Sequence, residues 1–293
     1  MSFWKVLRIL VTDTCNYRCI YCHNEGQHSK NMMMLKFDDV KKVISALNGS
    51  ELQEIRFSGG EPFTNKETID MIEWVSKNTN CEIGCATNGQ LLNEDIIKRL
   101  ADNKVKLTLH YATNTSESYK FVTDGNYDKF IENIDLLNEH NVDHSFNFVL
   151  YPEIFNEFEG VLESVVCRGR GLKLLPYIEQ ANMNKSNDII KTVRSLLDEK
   201  CISKIDVDGE GIEIWKLENG SKIKLLHSPC YRNDLESCKE YGEVRLLPNL
   251  QLQKCIMDSR EYKLNMDSKE SIRKDFQDLW NSFTKCSQNI IKE

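Results

Sequence analysis

The residues best suited to chemistry stand near the start of the chain. Cys15-Asn16-Tyr17-Arg18-Cys19-Ile20-Tyr21-Cys22 carries three thiols on one short stretch, with three residues between the first two and two between the last two. Thiolates so spaced can converge on one metal centre. Four would complete an ordinary iron-sulfur cluster, whereas three leave one iron open to another ligand. A zinc loop that borrows His23 as its fourth ligand, or a set of unpaired structural thiols, would use the same residues differently. A second stretch, Ser58-Gly59-Gly60-Glu61-Pro62, pairs adjacent glycines with a proline. The glycines let backbone approach a ligand closely, and Pro62 sets the turn that follows; a plain turn is the alternative. Late in the chain Cys230, Cys238 and Cys255 each fall near turn residues and do not read as core filler. Cys81, Cys85, Cys167 and Cys201 lie in strand or helix contexts without ligand spacing and read as small buried hydrophobes.

The elements that must position these groups alternate in type. The β-rich run 7–12 leads straight into the cysteine stretch, and 54–58 leads into the glycine segment, so each site is delivered at the C-terminal end of a strand. Apolar spacing predicts helices over 37–47, 66–78, 93–103, 127–139, 155–166 and 188–199, with Asp38 as N-cap of the first and Asn48-Gly49 at its end. Strands are predicted over 81–87, 106–109, 144–150 and 172–175. Six strand-helix units imply a parallel sheet with helices outside it, an α/β partial (β/α)6 TIM-like barrel whose site gathers at the strands' C-terminal ends. From about Cys201 the alternation stops, and short strands 204–207, 211–217 and 222–226 follow with Asp-Gly and Asn-Gly turns. Two parts are therefore expected, 1–200 and 201–293.

At the cysteine stretch the chain resembles the radical S-adenosylmethionine (SAM) superfamily, including the aromatic Tyr21 within the loop. The resemblance implies that Cys15, Cys19 and Cys22 hold a 4Fe-4S cluster whose open iron chelates SAM. An electron then cleaves SAM to methionine and a 5'-deoxyadenosyl radical, which takes a hydrogen atom from substrate. It also implies that Gly59-Gly60-Glu61-Pro62 binds the methionine amino group, and that Tyr21, Ser58, Asn88 of Thr87-Asn88-Gly89 and Thr108 lie near SAM. His110 stands where many relatives have an acid, and Asn147 and Lys173 are further rim candidates. The segment from Arg245 to Cys255 resembles the C-terminal cluster segment of the GTP cyclase of molybdenum-cofactor synthesis, and Tyr21-Cys22-His23-Asn24-Glu25-Gly26 is similar to its archaeal members. Asp278-Leu279-Trp280-Asn281-Ser282 is similar to a tail segment of the SPASM group. A small C-terminal α+β cap of the twitch type is thus implied, with Cys230, Cys238 and Cys255 holding an auxiliary 4Fe-4S cluster and Cys286 as a further candidate ligand. Two departures speak against GTP cyclisation: Tyr241 stands where that cyclase has a cysteine, and its arginine- and glycine-rich tail is missing.

The 293 residues carry a net charge of -7 with both signs interspersed, which disfavours nucleic acid as a partner. No apolar run reaches membrane-spanning length and no signal peptide is evident, so a cytoplasmic protein is expected, in which the clustered ones among its 11 cysteines read as metal ligands rather than disulfides. The expected partners are a small-molecule or peptide substrate and a reductant of the flavodoxin or ferredoxin type. The first strand begins close to Met1, which favours a small molecule or short peptide over a precursor held by an N-terminal recognition domain. A maturase acting on a precursor peptide is the second reading. A noncatalytic iron-sulfur electron carrier is the reading from another class, disfavoured by a glycine segment that a carrier does not need.

Overall fold

The computed structural model describes residues 3–22, 32–177, 183–207, 211–227 and 234–285. Six strands, β1 (Val6–Leu10), β2 (Glu54–Ser58), β3 (Glu82–Thr87), β4 (Lys106–His110), β5 (His144–Leu150) and β6 (Leu172–Pro176), lie side by side in chain order. Every neighbouring pair among them is parallel. Between them run α1 (Phe37–Leu47), α2 (Thr68–Asn78), α3 (Glu94–Asp102), α4 (Ser116–Thr123), α5 (Tyr127–Glu139) and α6 (Phe158–Cys167). This is the partial barrel that the alternation implies.

The helices form where apolar residues recur at helical spacing. Val40, Val43, Ile44 and Leu47 of α1 are all buried, as are Phe130, Ile134 and Leu137 of α5. They pack on one face of the strands, where Leu7, Ile9, Ile55, Phe57, Leu107, Leu109, Phe146 and Phe148 are nearly or fully buried. The opposite face is polar: Arg8, Arg56, Thr108, His110, Ser145, Asn147 and Lys173 alternate with those core residues. A parallel sheet normally buries apolar residues on both faces. Polar side chains along the inner one therefore mark a lumen rather than a filled core.

Two local expectations are corrected. Asp38 lies inside the first turn of α1, favoured there by the helix dipole, while the N-cap is Lys36 without a side-chain cap; Glu67 Oε2, 2.7 Å away, accepts the Phe37 N–H instead. Helix α4 is one that the apolar spacing does not predict. It is short and rich in weak helix formers, and it begins where Thr115 accepts the Ser118 N–H.

Beyond β6 come α7 (Met183–Lys200), β7 (Ser203–Val207), β8 (Ile212–Lys216), β9 (Lys222–Leu226), α8 (Leu235–Tyr241), β10 (Glu243–Leu246), β11 (Gln251–Gln253), β12 (Tyr262–Lys263) and α9 (Lys269–Ser282). Their strands extend the barrel sheet at both edges, β9 pairing parallel with β6 and β10 parallel with β1, so one sheet runs β12-β11-β10-β1-β2-β3-β4-β5-β6-β9-β8-β7. Trp4 ties the two ends of the described chain together, donating through Nε1 to Phe276 O at 2.9 Å and packing against Trp280 and Phe283. Among the described residues no helix is long and apolar enough to cross a membrane.

Candidate functional site

Strand β1 ends at Leu10, and the chain turns across the C-terminal ends of the barrel strands carrying Cys15, Cys19 and Cys22, all partly buried and none in a disulfide. Two neighbours fix this loop. On one side the glycine segment packs directly on it: Gly60 N–H donates to Thr12 O at 2.9 Å and Glu61 N–H to Thr14 O at 2.8 Å. A Cβ at Gly60 would stand 2.3 Å from Thr14 O, and one at Gly59, where φ is +144°, 2.5 Å from Thr12 O. The close approach expected of these glycines is thus to the backbone of the cysteine loop itself. On the other side α4 grips the loop, Arg18 N–H donating to Thr123 O at 2.8 Å and Ile20 N–H to Val122 O at 3.0 Å. Tyr17 reaches down between them, fully buried, with its hydroxyl 3.1 Å from that of Tyr119. The sequence signal for this role was slight: a Thr-x-x-Ser cap and the spacing of Tyr119, Val122 and Thr123.

Glu61 has no exposed surface. Its Oε1 accepts from the Thr87 hydroxyl at 2.7 Å and the Phe63 N–H at 3.2 Å, and its Oε2 from the Asn88 N–H at 2.7 Å. Burial pushes its pKa up to about 7 against the pull of those three donors. The carboxylate thereby ties the end of β2 to the end of β3, while the Asn88 side chain continues to the cysteine loop, donating to Asn16 Oδ1 at 2.8 Å and lying 3.9 Å from Cys15 Sγ.

The thiols sense one another. Burial raises the pKa of Cys15 to about 11, and Glu61 and Cys22 push it the same way; Cys19 is raised further by burial and by Cys22 and Cys15. Cys15 and Cys19 thus resist ionisation in the bare loop, and a bound iron centre would invert that balance. Tyr17 N–H already donates to Cys15 Sγ at 3.3 Å, the kind of hydrogen bond that cluster sulfurs receive. Among the described residues no three His, Cys, Asp or Glu side chains gather as ligands of a single ion; a cubane instead takes one thiolate on each of its irons. The residues present fit a three-thiolate cluster.

Tyr21 is buried, and its hydroxyl is hydrogen-bonded to His110 Nε2. Burial lowers the His110 pKa to about 4, so the imidazole is neutral. The Tyr21 ring also lies 5.6 Å from Tyr151, which in turn lies 4.8 Å from Tyr177 at the end of β6. Ser58 closes β2 and accepts the Val11 N–H at 3.0 Å. Thr108 faces the lumen in register with Ala86 and Ser145. Cys15, Tyr21, Gly59-Gly60-Glu61-Pro62 and Asn88 thus come together at one end of the barrel, with Thr108 below.

The sequence pattern of the Radical SAM superfamily matches residues 9–165, more than half of the chain, including the cysteine loop, the glycine segment, Asn88, Thr108 and His110. The chain belongs to the radical SAM superfamily. As a radical SAM enzyme it works with a 4Fe-4S cluster and SAM. It is similar to the GTP 3',8-cyclase of Clostridium perfringens, 25% identical over 279 residues that cover 90% of this chain and 83% of the cyclase. Among solved structures its fold is shared by Streptococcus suis SuiB bound to S-adenosylmethionine, with a TM-score of 0.72, 14% identity, and 95% of this chain against 66% of that one. SuiB bound to precursor peptide SuiA gives 0.69, 14%, 96% and 65%. Native anSMEcpe with bound AdoMet gives a TM-score of 0.67 at 15% identity, over 97% of this chain and 81% of that one.

Elsewhere in this radical SAM enzyme the late cysteines divide. Cys230 and Cys286 lie outside the described residues, as do His23 and the Asn24-Glu25-Gly26 segment that follows it. Cys238 is on α8 and Cys255 follows β11; Met257 N–H donates to Cys255 Sγ at 3.4 Å, repeating the pattern of Tyr17 on Cys15. Lys239 and Lys254, next to those cysteines, stack over Trp280 and Phe283 at the end of α9. Tyr241 turns to the barrel, bonding Arg56 and, at 3.0 Å, Glu243. Of the four cysteines expected to be buried, Cys85 is buried and Cys81 and Cys201 are partly so. Cys167 is exposed, because it ends α6 off the buried face formed by Phe158, Val161, Leu162 and Val165.

Proposed function

We propose that this enzyme abstracts a hydrogen atom from a small molecule or short peptide to drive an oxidation, cyclisation or crosslinking in natural-product or cofactor biosynthesis. In this reading Cys15, Cys19 and Cys22 hold the cluster, which when bound supplies the electron that cleaves SAM and so generates the 5'-deoxyadenosyl radical. The observation that carries it is the cysteine loop, clamped between Gly59-Gly60 and α4 over a polar lumen. The glycine segment and Asn88 hold the loop, Tyr21 with neutral His110 walls the SAM side, and the lumen below receives substrate. Residues 1–200 carry this site, and 201–293 carry a second 4Fe-4S cluster on Cys230, Cys238 and Cys255, with or without Cys286. The N–H···S bond at Cys255 supports that assignment. A flavodoxin- or ferredoxin-type protein supplies the electron.

GTP is not the substrate we propose, although the relative named above is a GTP 3',8-cyclase. Tyr241 occupies a cluster-cysteine position, and the lumen arginines Arg8 and Arg56 are already engaged by Glu243 and Glu54. Peptide maturation is the second reading, favoured by the fold shared with SuiB bound to a precursor peptide. Membership of an enzyme superfamily displaces the electron-carrier reading.

Anaerobic reconstitution followed by dithionite and SAM tests the assignment. The wild-type chain should bind about eight irons, twice four, and release 5'-deoxyadenosine. Cys19→Ala should release none, and full SAM cleavage by that variant refutes the ligand set.

A further inference from the structure

Four lumen-facing residues on adjacent strands stand in register: His110 of β4, Asn147 of β5, Lys173 of β6 and Lys224 of β9. The row starts at the cysteine loop, where His110 bonds Tyr21, and ends at two lysines placed directly opposite each other. Like charges so paired destabilise a sheet unless something of opposite sign lies between them. Neither lysine has an ion-pair or hydrogen-bond partner among the described residues. Lys173 is open to solvent, yet surrounding protein first, and then repulsion from Arg56, Lys224 and Arg8, lowers its pKa to about 8 against the attraction of Glu243. Accessibility combined with desolvation is expected of a side chain standing in an open lumen. Beside it, Asn147 Oδ1 is buried without a hydrogen-bond partner.

The other lumen cations are differently placed. Arg8 makes two bonds to Glu243 at 2.9 and 3.0 Å, and Arg56 two to Glu54 at 2.6 and 2.7 Å. Their forks are filled by carboxylates, and Arg245, in register with Arg8, donates to Gln253 Oε1 at 2.9 Å.

We propose that Lys173 and Lys224 form an anion subsite that anchors one carboxylate or phosphate of the substrate, while Asn147 accepts a hydrogen bond from the same molecule. This rests on the substrate entering the lumen as proposed above. Lys173 and Lys224 lie two and three interstrand spacings from His110, about 10 and 14 Å. The substrate therefore has its reacting carbon toward the cysteine loop and its anionic group about that far away, the span of a short peptide or a phosphorylated small molecule.

Two probes test the subsite on the reconstituted protein: inorganic phosphate followed by 31P NMR, and N-acetylglycine labelled at its carboxylate followed by 13C NMR. Both should titrate saturably. Lys173→Met with Lys224→Met should weaken binding about tenfold or more, the loss of a charge-assisted contact, and the paired arginine substitutions should restore it. Circular dichroism establishes that the methionine variant is folded. Tighter binding of phosphate assigns a phosphorylated small molecule, and tighter binding of N-acetylglycine assigns a carboxylic acid or peptide. Binding of neither probe, or equal binding by the double methionine variant, overturns the subsite. Release of 5'-deoxyadenosine by the wild-type chain is read separately. If it occurs while the probes fail to bind, the subsite alone is wrong; if it does not occur, the reading beneath it fails.

Discussion

Glu61 shows how one buried side chain can tie the ends of two strands together. Two of its three donors, the Thr87 hydroxyl and the Asn88 N–H, are buried with it, and the Phe63 N–H is partly buried. Replacing it with leucine leaves those donors unpaired, at a cost of about 1–3 kcal/mol each for groups denied both protein and water partners. Glu61→Leu should therefore lower the urea midpoint of unfolding well below that of Glu61→Gln, which keeps an acceptor oxygen; equal midpoints would rule out this role. His144 makes a second prediction at this scale. Its Nδ1 lies 2.9 Å from Val142 O, its Nε2 is buried without a partner, and burial lowers its pKa to about 4. The unfolded chain binds that proton more readily, so stability is complete above pH about 6.5 and is lost as pH falls toward 4. The full effect is about 3 kcal/mol, from roughly 1.4 kcal/mol per pH unit. His144→Phe should flatten the acid limb of a stability-against-pH curve, and an unchanged limb would show that other groups dominate it.

At the scale of elements, the cysteine loop is held by what surrounds it more than by its own sequence. Gly60 approaches Thr14 so closely that even a methyl group must displace backbone, not a yielding side chain. Gly60→Ala should consequently retain less iron after reconstitution and bind SAM more weakly than wild type, with a larger effect than Glu61→Gln. Iron analysis and equilibrium dialysis with SAM measure both. A Gly60→Ala chain with full iron and unaltered SAM affinity would show that the loop is free to shift. Helix α4 works from the opposite side, where Gly125 makes room for the Tyr17 ring; a Cβ there would stand 2.6 Å from Cζ.

For the whole molecule, the seam between β1 and β10 joins residues far apart in the chain. Glu243 bridges Arg8 and Arg56 across three neighbouring strands, with Tyr241 bonded to both Arg56 and Glu243. The repulsion between the two arginines makes Glu243 the member whose loss matters most. Glu243→Gln should cost about 2 kcal/mol, between the ~1 of an exposed pair and the ~3 or more of a fully buried one, because these side chains keep 19–29% of their exposure. Urea unfolding measures this. A change below 1 kcal/mol would mean that the C-terminal strands are held by their backbone ladder and apolar contacts alone.

The sequence by itself determined the parts of this protein that depend on local order: the strand-helix alternation, the spacing of Cys15, Cys19 and Cys22, and their delivery at a strand end. Those follow from periodicity and from residue types whose chemistry is narrow. Strands 54–58 and 144–150 and helices 37–47 and 127–139 were legible to the residue. Helix α4 was not, since its apolar positions are few and its stability comes from Tyr119 and Val122 packing beneath the loop they hold. Nor did spacing reveal that Gly59 and Gly60 pack on the cysteine loop, that Tyr241 bonds Arg56, or that Lys173 faces Lys224. Only the tertiary structure decided these, because each contact joins strands whose neighbours are set by how the sheet closes, and β9 and β10 reach β6 and β1 through pairings that no local pattern encodes.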